Sequence, residues 1–183
     1  MAGMTKEQRL KELYKDEVME SVIKILKDLG WECGLDEDGN IVFCLADTNS
    51  YSDEVNLYFN NACFYITYDD SLDYIEIYEY CWKKVKIDEY EKVLRLKWAI
   101  NKANFGSNVT TYSYINEEEQ TMDVESCTTL PYLNDEFYLK EFIDKKLRDI
   151  FCSNKYLDYV LKKREYDEKY TRIFVCLNST TKA

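Results

Sequence analysis

At Gly30 the apolar spacing of the chain changes from three or four residues to two, and this restricts it to folds that join an amphipathic helix to a β-sheet. Upstream, Leu10, Tyr14, Val18, Val22, Ile25 and Leu29 recur at helical spacing. They follow Thr5-Lys6-Glu7-Gln8, which reads as a capping box: the Thr5 hydroxyl accepts from the third helical N–H and Gln8 reaches back. Gly30 supplies the left-handed residue that ends such a helix. Downstream, Trp31, Cys33 and Leu35 alternate, Asp36-Glu37-Asp38-Gly39 turns, and Ile41, Phe43 and Leu45 alternate again, which predicts a hairpin.

The alternation continues at Val55, Leu57 and Phe59, with Asn60-Asn61 as a turn, and resumes at Phe64, Ile66 and Tyr68. Asp69-Asp70-Ser71 breaks it before a long strand from Tyr74 to Trp82. Asp88-Glu89-Tyr90-Glu91 reads as a second capping signature, opening a helix through Leu94, Trp98 and Ile100 to Asn104. Val109 to Ile115 and Met122 to Thr128 flank an acidic turn as a second hairpin, and Pro131 falls in the loop after it. Leu139, Phe142, Ile143, Leu147 and Ile150 mark a third helix from Asp135, and Asn154 reads as the cap of a fourth. The pattern predicts one α+β domain over residues 1–183. Its order is one helix, three to five strands, a helix, two strands and two helices, with the helices on one face of an antiparallel meander sheet.

Charge narrows the partners. The 183 residues carry a net charge of −11. Between Trp31 and Glu79 there are twelve Asp/Glu and no Lys or Arg, and between Phe105 and Asp135 six acids and again no base. The segments that read as strands are therefore acidic, and those that read as helices are net basic. Such strands make a poor footprint for nucleic acid, whose phosphates call for clustered Lys and Arg. No apolar run approaches the roughly 18 residues of a membrane span, and the first residues lack the apolar core of a signal peptide. The expectation is a cytoplasmic protein.

Chemistry narrows further. The sequence has no histidine, which removes triads, Cys–His pairs and imidazole acid/base work, and leaves little to titrate between about pH 6 and 8. The seven cysteines form no C-x-x-C pair and read as buried, reduced thiols. Asp36-x-Asp38-Gly39-Asn40 fails the calcium-loop pattern at both ends, Gly34 and Leu45, and reads as a turn. Glu117-Glu118-Glu119 reads as a solvated turn, and the Asp69, Asp70 and Asp73 group lacks the fixed separation that paired-carboxylate catalysis needs. No catalytic, metal or cofactor site is assigned.

Asn101-x-x-Asn104 closes the second helix, where amide side chains can satisfy the free backbone groups of a helix-to-strand junction. The stretch Leu96-Lys97-Trp98-Ala99-Ile100-Asn101-Lys102-Ala103-Asn104, followed by a strand with Tyr114, an acidic turn and a second strand, resembles the YbjN-like family of bacterial proteins. The resemblance spans roughly residues 31–163. It implies the fold of type III secretion chaperones, and a non-enzymatic, cytoplasmic, often dimeric protein of a family labelled as sensory transduction regulators. It carries over no functional residues.

The chain departs from that pattern in its tyrosine load, 17 against eight Phe and three Trp. Along Tyr74–Trp82, alternation puts Ile75, Ile77 and Cys81 on the face to be buried under helices, and Tyr74, Tyr78, Tyr80 and Trp82 on the other. Tyr65, Tyr112 and Tyr114 extend that second face. Such rings serve cross-strand packing, and they also suit a partner-binding platform, because Tyr and Trp dominate interface hot spots. The sequence thus points to a non-catalytic module that binds a protein segment and forms a homodimer. The alternative is a small-ligand sensor or carboxylate-dependent enzyme with a tyrosine-lined pocket.

Overall fold

The structure, a computed structural model, describes residues 5–45, 59, 62–105 and 107–162. Helix α1 (Lys6–Asp28) starts at the predicted capping box. Gln8 N–H donates to Thr5 Oγ1 at 3.2 Å and Thr5 N–H to Gln8 Oε1 at 2.8 Å. Gly30 stands just past its end at φ 87°, a left-handed conformation that is strained for a side chain bearing a Cβ. The hairpin of β1 (Trp31–Leu35) and β2 (Ile41–Leu45) follows. In its turn, Asp36 Oδ1 accepts from the N–H groups of Asp38 and Asn40, and Gly39 adopts φ 78°.

Strands β3 (Phe64–Asp69) and β4 (Tyr74–Lys86) are joined by the Asp70–Asp73 turn. Helix α2 (Tyr90–Asn104) leads to a hairpin of β5 (Thr110–Asn116) and β6 (Thr121–Pro131), and α3 (Glu136–Lys162) is the last described element. The six antiparallel strands lie in the order β1-β2-β3-β4-β6-β5. The fold is α+β, as the pattern predicts, but the sheet is a meander only through β4. Strand β6 carries buried Met122, Val124 and Leu130 and takes the interior place between β4 and β5, leaving the more polar β5 outside it.

Helices α1, α2 and α3 pack on one sheet face, in two apolar clusters. Val18, Val22, Ile25 and Leu26 of α1, Leu139 to Ile150 of α3 and the inward residues of β1–β4 form the larger. Each of those four α1 side chains is fully buried, worth about 1.5–3 kcal/mol. At its centre the Trp31 ring meets Phe43 edge-on at 5.2 Å and Phe64 at 5.6 Å. The smaller cluster joins Leu96, Ala99 and Ile100 of α2 to Met122 and Val124 of β6 and Leu157 and Val160 of α3.

Between the clusters lies a buried polar seam. Asn154 donates from Nδ2 to the Glu79 carboxylate and accepts at Oδ1 from Ser126 Oγ at 2.7 Å. Ser126 Oγ also meets Thr111 Oγ1 and the Trp82 indole N–H, each at 3.2 Å. Glu79, Ser126, Thr111 and Asn154 are each 0–1% exposed.

Several local expectations change. Asn154 caps no helix: it lies inside α3, which runs unbroken from Glu136, so the predicted third and fourth helices are one. Its amide is committed to the sheet, which removes the competition with helix backbone that makes Asn a helix breaker. The signature at Asp88-Glu89 forms no side-chain cap, because Glu89 pairs with Lys92 instead. Pro131 ends β6 opposite Tyr74 rather than standing in a loop. Val55, Leu57 and Asn60-Asn61 lie outside the described residues, and Phe59 is helical and fully buried.

Replacing Asn154 by Leu keeps the helix but leaves the buried Glu79 carboxylate and Ser126 hydroxyl each short of a partner. The expected loss is about 3 kcal/mol of unfolding free energy, read as a lower urea midpoint with an unchanged slope.

Candidate functional site

Alternation along the strands sends every second side chain to the sheet face opposite the helices. On β4 these are Tyr74, Glu76, Tyr78 and Tyr80, on β3 Tyr65 and Thr67, on β6 Asp123, Glu125 and Cys127, and on β5 Tyr112 and Tyr114. Tyr65 and Tyr78 are directly paired, and their rings stack at 4.6 Å with planes 2° apart. Tyr78 Oη donates to Glu76 Oε2 at 2.9 Å, and Thr67 Oγ1 reaches the same oxygen at 3.2 Å. The Tyr112 hydroxyl donates to Glu125 Oε2 and that of Tyr114 to Oε1 at 3.1 Å. One carboxylate therefore holds two rings.

Six of the seven predicted residues stand on this face. Tyr112 and Tyr114 bond Glu125, Tyr80 touches Tyr114, and Tyr65 lies within reach of the Glu125 charge while stacking on Tyr78, which Glu76 holds; Tyr74 lies on the same face near the other end of β4. Trp82 does not join them. The pairing of β4 with β6 slips between Glu79 and Lys83, and Cys81 takes the left-handed φ of 43°. This β-bulge reverses the alternation. Trp82 turns under the helices, against the smaller cluster, with its indole N–H on Ser126. Cys81, expected beneath the helices, lies half-buried beside Asp123 instead.

Burial and hydrogen bonding set the titration of the face. Desolvation raises Tyr65 to about 12, with the nearby Glu125 charge adding to it. Tyr78 and Tyr112 are raised further, first by burial and then by donation to Glu76 and Glu125. Tyr114 is raised by burial, by its contact with Tyr80 and by Glu125. The Cys127 thiol is pushed up to about 11 by burial. For Asp123 burial is the largest influence and acts upward. Hydrogen bonds from Thr121, Asn116 and Cys81, with Lys84 beside them, outweigh it and hold the carboxyl below its ordinary value.

The sequence did not reveal the two buried acids, Asp123 at 1% and Glu125 at 6% exposed. An acid alternating with apolar residues reads as solvent-facing. The missing signal was the hairpin register, which sets Tyr112 opposite Glu125 and Tyr114 opposite Asp123. The six described cysteines are free, but none is buried: Cys44, Cys63 and Cys152 are exposed and the others half-buried. Cys44 stands opposite Glu32, on the alternate that faces away from the helices, so an apolar neighbourhood in sequence did not bury it. Asn104 behaves as expected, pairing through Oδ1 and Nδ2 with the N–H and C=O of Thr111, both at 2.7 Å.

Among the described residues, no helix is long and apolar enough to cross a membrane, and no three Cys, Asp or Glu converge as a metal site. A separate cleft of about 490 Å³ lies between the end of α2 and α3, lined by residues that include Lys102, Phe105, Asn108, Cys152 and Tyr156. None of the seven predicted residues lines it.

No family model and no curated protein matches the sequence. Among solved structures, YbjN from E. coli, described as a proposed transcription regulator, superposes with a TM-score of 0.53. The match covers 76% of this chain and 89% of that one. The fold is YbjN-like. At 14% identity the likeness to YbjN concerns the fold alone.

The raised tyrosines link stability to alkaline pH. Their folded forms hold the proton above the unfolded value near 10, so the stabilisation they bring is complete below about pH 10. It declines as pH rises through about 12, where Tyr65 ionises. Phenolate absorbance should show a class of tyrosines ionising above pH 11 in the native protein and near 10 in urea, with the urea midpoint falling over the same range.

Proposed function

We propose that the protein is a non-catalytic interaction module, regulatory or chaperone-like, that binds a segment of another protein on its tyrosine face. One observation carries this reading: five tyrosines from β3, β4 and β5 stand on one sheet face, three of them bonded through their hydroxyls to Glu76 or Glu125 and a fourth stacked on one of these. Rings held in this way offer contact area with little entropy left to lose, the property that makes Tyr an interface anchor. Membership of the YbjN-like family and a cytoplasmic location belong to the same reading, supported by the shared fold and by the sequence resemblance.

Self-association is part of the proposal. A two-fold contact through the sheet face would set acid against acid, which is unfavourable. The exposed aromatics Phe137, Tyr138 and Phe142 on the first turns of α3 are better suited to a homodimer. Light scattering should give a dimer at micromolar concentration, and Tyr138→Ser with Phe142→Ser should shift it to monomer.

Affinity capture from the native extract, comparing wild type with Tyr65→Ala/Tyr112→Ala, tests the binding reading. Retention of a specific partner should fall at least tenfold in the variant, whose circular dichroism stays native. A partner kept equally by both proteins would place the binding surface elsewhere.

A further inference from the structure

The open sheet face has a definite charge and a definite hydrogen-bond sense. Its outward residues include Glu32, Asp69, Glu76, Asp123 and Glu125, and strands β1, β2, β3, β5 and β6 contain no Lys or Arg. The bases of β4 lie past the bulge at its far end, where Lys83 pairs with Asp158 of α3 and Lys84 with Glu119 and, at 3.9 Å, with Asp123, so the uncompensated acid lies toward Glu76 and Glu125. Tyr78, Tyr112 and Tyr114 already donate their hydroxyl hydrogen bonds to Glu76 and Glu125. What remains to an incoming chain is acceptors, the spare lone pairs of the half-buried Glu76 carboxylate and of the phenol oxygens, between the faces of aromatic rings and above the buried charge of Glu125.

We infer that this face docks an extended, arginine-rich segment of a partner protein, an inference that rests on the segment-binding reading above. Arginine is all donor, carries a charge opposite to the face, and lays a planar guanidinium on a tyrosine ring while forking toward a carboxylate. Lysine supplies the charge without the planar fork, so it binds more weakly. The aromatic row crosses four strands, β3, β4, β6 and β5, a width of about 14 Å, and an extended segment of four or five residues spans that distance. Nucleic acid and a second copy's identical face carry the wrong charge for this surface.

The test uses the full chain and three fluorescent twelve-residue peptides, in which serine alternates with arginine, glutamine or glutamate. Anisotropy should show the arginine peptide binding at micromolar concentration, the glutamine peptide at least tenfold weaker, and the glutamate peptide not at all. Raising salt from 50 to 300 mM should weaken the arginine peptide about tenfold. Tyr65→Ala/Tyr80→Ala leaves net charge unchanged and Tyr80 is already 54% exposed, so this variant should fold and lose at least tenfold in affinity. Glu76→Gln should lose several-fold, and Glu118→Gln, in the exposed turn, nothing. Equal binding of arginine and glutamine peptides, lost in the tyrosine variant, would overturn the charge inference and leave segment binding standing. Arginine binding that the tyrosine variant retains in full would mean non-specific attraction to an acidic protein, and both readings fail.

Discussion

The position of α3 on the sheet governs the rest of the molecule. This one helix closes both apolar clusters, its first half over β1–β4 and its second half with α2 over β6. Apolar packing alone would tolerate sliding along such a long contact. The bonds from Asn154 to Glu79 and Ser126 tolerate little, because a shift of one turn would strand a buried carboxylate without its donor. The seam also sits where β4 bulges, and the bulge sends Trp82 inward to complete it. Helix register, strand irregularity and the partition of aromatics between the faces are therefore one linked choice.

That linkage explains what could be read from the residues alone. Elements governed by local signals were legible: the α1 capping box, the Gly39 turn and the Asn104 junction each involve groups within a few residues of one another. So were most of the outward tyrosines, since strict alternation assigns a face wherever a strand is regular. Legibility failed where a distant element decided the outcome. Asn154 looks like a cap until Glu79, 75 residues away, claims its amide. Trp82 follows the tyrosines by parity until a bulge, invisible in the residue types of β4, inverts the count. Asp123 and Glu125 look exposed until tyrosines from the neighbouring strand cover them.

In the YbjN-like fold of this chain, the aromatic surface lies on the side of the sheet opposite helices α1, α2 and α3. The division fits the interaction role proposed above. One face carries the apolar burial, and the other carries hydrogen-bonded tyrosines over two buried acids. The acidic strands and the net basic helical segments follow the same division along the sequence.

The parallel stack of Tyr65 on Tyr78 has a consequence for time as well as for energy. Neither of two rings held face to face can turn edge-on to the other without first widening the gap between them. Ring rotation there requires one side chain to lift away from its neighbour on the open side of the sheet. The rate at which these rings turn over is thus a clock for the loosening of the stacked pair, readable in the symmetry of their proton resonances without unfolding the protein.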